Sequence, residues 1–167
     1  MRKALFIILL LSFGIGFSSC SNDTCEQNQS SVPQAGFYSM STKKTISIDS
    51  LLIYGVGAPG DSAMLQNKAA SKVFLPLRAN TSETKFVIHY SRKALEALGI
   101  NDTITISYNP SPYFDSPECG AFYVFDVKNI ECTKYFVDSI SCITNRITNV
   151  DAESIHIYFR TGEEAMK

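Results

Sequence analysis

Thr103-Ile104-Thr105-Ile106-Ser107-Tyr108 sets an apolar or aromatic side chain at every second position, with hydroxyl-bearing side chains between. Alternation of this kind marks a strand with one face buried and the other wet. The pattern recurs along the chain. Ile155, Ile157 and Phe159 alternate with His156, Tyr158 and Arg160, and Phe86, Ile88 and Tyr90 share one face of another segment. Over residues 45–54, Ile46, Ile48, Leu52 and Tyr54 keep one phase while Leu51 and Ile53 keep the other. That change of phase predicts a bulge near Asp49-Ser50.

Residues 121–127 are apolar in both phases, which suits a central strand covered on both faces. Pro76, inside Val73-Phe74-Leu75-Pro76-Leu77, removes a ladder donor and places that segment at an edge. Turn signals fall at residues 55–60, at Asn109-Pro110-Ser111-Pro112, at Lys128-Asn129 and at Asn149-Val150-Asp151. One segment departs from period two. Residues 91–98 predict a short helix with Ser91 as N-cap, Gly99 as its stop, and Ala94, Leu95 and Leu98 against the sheet. The expected fold class is mainly β: an antiparallel β-sandwich of about eight short strands over residues 32–162, followed by a tail, 163–167.

The composition agrees. With 167 residues, 45% hydrophobic and 19% charged, the chain has the make-up of one folded domain. Fifteen basic residues against 16 acidic leave no basic excess for nucleic acid.

The N-terminus carries an address. Met1-Arg2-Lys3 precedes a 14-residue apolar run, Ala4 to Phe17, too short for the ~20 residues of a membrane span. Phe17-Ser18-Ser19-Cys20 follows and resembles the bacterial lipobox, in which the Cys thiol receives a diacylglycerol. Residues 1–19 then form a lipoprotein signal peptide, and Cys20 is the expected lipidation site. Arg2 and Lys3 leave with the signal, so 13 basic residues face 16 acidic ones, a net charge of −3. The expected anchor is acyl chain, not electrostatics. Residues 20–31 are almost free of apolar side chains and read as a flexible tether. Ser21 after the lipid-carrying Cys is compatible with sorting to the outer membrane, facing either periplasm or surface.

Four cysteines remain: Cys25, Cys119, Cys132 and Cys142. If residues 131–143 form one strand, ten residues at ~3.3 Å place Cys132 and Cys142 about 33 Å apart. A disulfide needs Cα atoms within about 7 Å, so Cys25–Cys119 is the preferred pair. No Cys-x-x-Cys occurs, so the cysteines read as structural.

His89 and His156 sit on the polar sides of predicted strands and would meet as a metal pair only if those strands were neighbours. No zinc-protease helix motif, nucleophile elbow, phosphate loop or calcium loop is present. Asp115, Glu118, Asp126 and Asp138 are the acidic residues nearest the aromatic stretches Tyr113-Phe114 and 122–125, where a carboxylate pair would cut or bind sugar. Turn residues are the plainer reading. Asp49-Ser50, Asp61-Ser62, Asp102-Thr103 and Asp138-Ser139, each followed by an apolar residue, are similar to the O-glycosylation pattern of exported Bacteroidota proteins.

Ser116-Pro117-Glu118-Cys119-Gly120 ahead of an aromatic strand is the most distinctive string. Together with Cys20, Cys25, Val73-Phe74-Leu75-Pro76-Leu77 and Ile155-His156-Ile157-Tyr158-Phe159, it resembles a Bacteroidota outer-membrane lipoprotein family of unknown function. The resemblance implies an envelope lipoprotein with a single β-rich domain and no assigned catalytic residues. The expectation is therefore a protein without catalytic site, metal or cofactor, anchored to the membrane by lipid. It would act through protein contacts, beside an outer-membrane β-barrel. The alternative is a surface module binding glycans or peptides through Tyr113 and Phe114.

Overall fold

The computed structural model describes residues 30–58, 63–117 and 119–161. In chain order the elements are β1 (Gln34–Ser39), β2 (Ile48–Gly55), β3 (Ala63–Ala70), β4 (Lys72–Phe74) and β5 (Glu83–Tyr90). They continue with α1 (Lys93–Glu96), β6 (Asn101–Ser116), β7 (Gly120–Cys132), β8 (Val137–Cys142), β9 (Arg146–Ile147) and β10 (Glu153–Phe159). One sheet has the order β4-β1-β10-β8 and the other β3-β2-β5-β6-β7-β9. Every pairing is antiparallel except β1 with β10, which run parallel. The fold is β-sandwich-like, as expected, but the smaller sheet is mixed.

The two sheets close on one core. Phe37, Ile155, Ile157 and Phe159 from the first meet Leu51, Ile53, Phe86, Ile88, Ile104, Ile106 and Tyr108 from the second. All are buried, so the three alternating segments face inward in the phase that their sequence carries. The bulge near Asp49-Ser50 is present: Ser50 has φ +58°, and the β2–β3 register shifts between Ile48 and Leu51. β4 is an edge strand, and Pro76 lies just beyond it. Packed chain begins by Ser31, which is buried inside the stretch expected as tether.

Several expectations are corrected. Asn109-Pro110-Ser111-Pro112 is not a turn but part of β6, and Lys128-Asn129 lies inside β7. At the latter, Ser107 pairs Asn129 and Tyr108 pairs Val127, so Lys128 is the extra residue of a bulge. α1 is only four residues long. Ser91 does not cap it: its hydroxyl donates to Asn67 Oδ1 (2.6 Å). Leu98 is 66% exposed instead of packed on the sheet. Gly99 does close the segment, at φ +62°.

Residues 131–143 are not one strand. β7 ends at Cys132, the chain crosses to the other sheet, and β8 starts at Val137. A buried carboxyl makes that corner. Asp102, fully buried in β6, accepts hydrogen bonds from the Tyr90 hydroxyl (2.7 Å), the Thr133 hydroxyl (2.8 Å) and the backbone N–H groups of Tyr135, Phe136 and Val137 (2.9, 2.8 and 2.9 Å). Five donors converge on one acceptor group, the arrangement an ionised carboxyl satisfies and a neutral amide cannot. From the far sheet, Arg160 donates to the carbonyls of Lys134 and Tyr135 (2.7 and 2.8 Å) and to Asp138 (3.2 Å). Cys132, the last residue of β7, and Cys142, the last residue of β8, are free thiols. Burial pushes both thiols up, so they remain protonated and unreactive near neutral pH.

Asp102→Asn turns an acceptor into a donor among donors. It is expected to cost at least ~3 kcal/mol in urea unfolding; a loss below ~1 kcal/mol would show that the corner stands without the carboxylate. Burial, then the charge of Asp102, pushes the Tyr90 hydroxyl far above its usual range. A raised folded-state value favours the fold fully below about pH 10 and loses that contribution as pH rises beyond it, where the unfolded tyrosine ionises. Tyr90→Phe is expected to flatten part of the alkaline fall in stability, and an unchanged slope would contradict this.

Candidate functional site: an aromatic hairpin arm

β5 pairs with β6 only from Asn101 to Ser107. Beyond that point β6 has β7 alone as neighbour, and β9 supports β7 only at Phe125 and Asp126. The result is a two-stranded arm that projects past the sandwich. Its tip is made by Pro117, the donation from Cys119 N–H to Ser116 Oγ (3.1 Å), and Gly120 at φ +75°, which a side chain would strain.

The register divides the arm into two faces. Pro112 opposite Tyr123, and Phe114 opposite Ala121, continue the phase of the core residues Tyr108 and Phe125. Among the described residues no second sheet lies over them at this distance, so Phe114 is 64% exposed and Tyr123 45%. The other face carries Tyr113 opposite Phe122, with ring centroids 5.3 Å apart, and Val124. These side chains floor a cleft of about 380 Å³ whose polar lining includes Asp115, Arg146 and Asn149. Asn149 is nine-tenths buried. Arg146 reaches Asp126 at 3.3 Å. Thus β7 is not a central strand covered throughout. Phe125 and Val124 are buried on opposite faces, while Tyr123 is open.

The two edges of the arm differ chemically. Pro110 and Pro112 have no N–H to give to β7, so these positions turn their backbone outward. They blunt the β6 edge. By the same alternation, the backbone groups of Tyr123 opposite Pro112 point away from β6. On that side no strand covers residues 120–124 among the described residues, and no proline interrupts them. The β7 edge is open.

The other candidates are dispersed. His89 and His156 stand in different sheets, so they form no metal pair, and no metal-holding group occurs among the described residues. Of the four carboxylates near the aromatics, Asp115 lines the cleft, Asp126 pairs with Arg146, and Asp138 pairs with Arg160 across the corner. Glu118 lies outside the described residues, as do Cys20, Cys25, Asp61-Ser62, residues 59–60 of the expected 55–60 turn, the signal peptide 1–19, most of the tether and the tail 163–167. The buried carboxyl of Asp102 makes Asp102-Thr103 a structural pair, unlike the exposed Asp49 that pairs with Arg92 (2.9 Å). Cys119, at the arm tip, is not among the free thiols.

Sequence reasoning missed one cluster. On the outer face of the smaller sheet, Glu153 accepts hydrogen bonds from the Tyr38 hydroxyl and from His156 Nε2 (2.8 Å), and the Tyr38 and His156 rings lie 4.3 Å apart. The carboxylate lies over Gly36, where a methyl group would collide with it. The residues are scattered over 118 positions, and only the parallel β1–β10 pairing assembles them. Its three side chains bond and stack on one another, so it reads as a structural polar network. At the other end of the sandwich, a groove of about 490 Å³ runs past Ile48, Tyr90, Phe136 and Phe159, but its Arg92 and Arg160 are already paired.

A family model described as a family of unknown function (DUF6452) matches residues 50–159, and the chain belongs to that family. The matched span takes in Asp102 and the whole arm but not β1. Neither a curated protein nor a solved structure matches the chain.

The hydrogen bond to Glu153, assisted by burial, pushes the Tyr38 hydroxyl above its ordinary value. Gly36→Ala would displace the carboxylate. The expected outcome is a loss of about 1 kcal/mol in stability and a Tyr38 titration moved down towards about 10, read by ultraviolet difference against Tyr38→Phe. An unmoved titration would mean that Glu153 does not set it.

Proposed function

We propose that this chain is a lipid-anchored envelope protein of the Bacteroidota type, held in the outer membrane by acylated Cys20. It works without catalysis, through protein contacts made along the arm, and an outer-membrane β-barrel protein is the partner class. A Cys25–Cys119 disulfide ties the N-terminal segment to the arm tip in this reading. Cys119 is not a free thiol whereas Cys132 and Cys142 are, which supports that pairing.

The observation that carries the proposal is the open β7 edge beside exposed aromatic side chains. An extended partner segment would add to this edge by main-chain hydrogen bonds and gain side-chain specificity from the aromatic surface. The proline-bearing β6 edge is closed to the same mode. A second reading rests on the outer cleft: the paired rings of Tyr113 and Phe122, with the polar side chain of Asn149 beside them, suit a glycan or peptide ligand.

The test is cross-linking and co-purification of the full lipidated protein from its native outer membrane. Ala121 is exposed on β7, in the same phase as Tyr123, so Ala121→Pro removes an outward N–H and leaves the β6–β7 ladder intact. The expected result is a stoichiometric membrane partner captured by the parent chain and lost with Ala121→Pro, at unchanged thermal stability. A partner indifferent to Ala121→Pro would place the contact elsewhere. A clean monomer would overturn the contact reading in favour of the cleft.

A further inference from the structure

The inward-phase face of the arm has a composition unlike the rest of the surface. Pro110, Pro112 and Phe114 from β6 lie in phase with Ala121 and Tyr123 from β7, and none carries a charge. The charged residues of the arm that the structure describes, Asp115 and Asp126, stand on the opposite face. Phe114 is 64% exposed and Tyr123 45%, with nothing among the described residues to cover them. A side chain that is apolar in body and polar at its tip, such as Tyr123, suits a boundary between hydrocarbon and water.

The length of chain outside the structure says where this face is held. Cys119 sits at the tip and is not a free thiol, and the other described cysteines are. In the reading proposed above its partner is Cys25, which stands five residues from Cys20. Five extended residues and the disulfide together reach at most about 24 Å. With an acyl chain on Cys20, the arm tip is kept within about that distance of the bilayer surface.

We propose that the uncharged face formed by Pro112, Phe114, Ala121 and Tyr123 is a membrane-apposed surface, seated in the headgroup layer beside the lipid anchor. This inference rests on the lipid-anchor reading above. The partner is a lipid surface, and the absence of Lys or Arg on the face selects zwitterionic lipid, because anionic lipid would be drawn by basic residues. The lipid orients the domain as well as retaining it. The arm lies along the membrane, with its open β7 edge presented to proteins embedded there and its cleft turned away from the bilayer.

The chain contains no tryptophan, so a single Phe114→Trp is a unique reporter at an exposed site. Leu98→Trp places the same reporter at an exposed position beside the opposite end of β6. The full lipidated protein would be reconstituted into phosphatidylethanolamine-containing vesicles with brominated acyl chains. Phe114→Trp is expected to lose about half of its emission or more and shift to the blue, since an interfacial face sits ~5–10 Å into the headgroup–acyl boundary. Leu98→Trp is expected to stay unquenched, and Cys119→Ser to reduce the quenching at position 114. Vesicle-bound protein with Phe114→Trp unquenched, or with both reporters equally quenched, overturns the orientation while the anchor reading stands. A chain that carries no acyl mass and does not float with vesicles overturns the anchor reading and this inference with it.

Discussion

The carboxyl group of Asp102 is the contact on which the sandwich depends. It lies at the start of β6, in the middle of the larger sheet, yet three of its five donors are backbone N–H groups of the segment that crosses to the smaller sheet. A chain leaving β7 would otherwise bury those N–H groups unpaired where it turns, and buried unpaired donors are costly. One acidic side chain satisfies them together and fixes the point where β7 stops and β8 begins. β8 then pairs with β10, and β10 with β1, so the smaller sheet is assembled outward from that corner. Arg160, arriving from β10, bonds the carbonyls of the same corner. Both polar halves of the turning backbone are thus provided for.

The arm follows from a mismatch in length. β6 has 16 residues and β7 has 13, whereas β5 has eight and its pairing with β6 stops at Ser107. The surplus strand cannot be covered by either sheet, so side chains in core phase emerge into the open. Tyr108 marks the limit, with its hydroxyl bonded to Thr84 (2.6 Å) and to the backbone of Arg78 (3.0 Å). Past it, Phe114 and Tyr123 keep the inward phase and lose the interior. Prolines then separate the two edges of the arm, one blocked and one available, and a binding surface results without any reactive group.

Strand phase was legible wherever a strand buries one face, because period two is imposed by the pleat itself. That holds for Ile104, Ile106 and Tyr108, for Phe86, Ile88 and Tyr90, and for Ile155, Ile157 and Phe159. The bulge at Ser50 was legible for the same reason, as a break in phase. Local turn chemistry was a poorer guide. Asn109-Pro110-Ser111-Pro112 looks like a turn, yet proline is accepted in a strand whose N–H side faces no neighbour. That condition depends on where β5 ends, which no local string states. The candidate site shows the same division. Tyr113, Phe114 and Asp115 were singled out from the sequence, whereas Asn149, Arg146 and the open β7 edge were not, because their role comes from a chain passing alongside. The Glu153, Tyr38 and His156 cluster carried no local signal at all.

The sequence by itself determined the class of fold and the inward face of each regular strand, since both follow from side-chain alternation and the need to bury it. Tertiary structure decided which Asp is structural, where the chain changes sheets and which aromatics stay outside. Those are questions of coverage: whether a second sheet lies opposite, whether a neighbour strand reaches as far, and which donors meet a buried carboxyl. Residues distant in sequence answer them together, so no single stretch of the chain contains the answer.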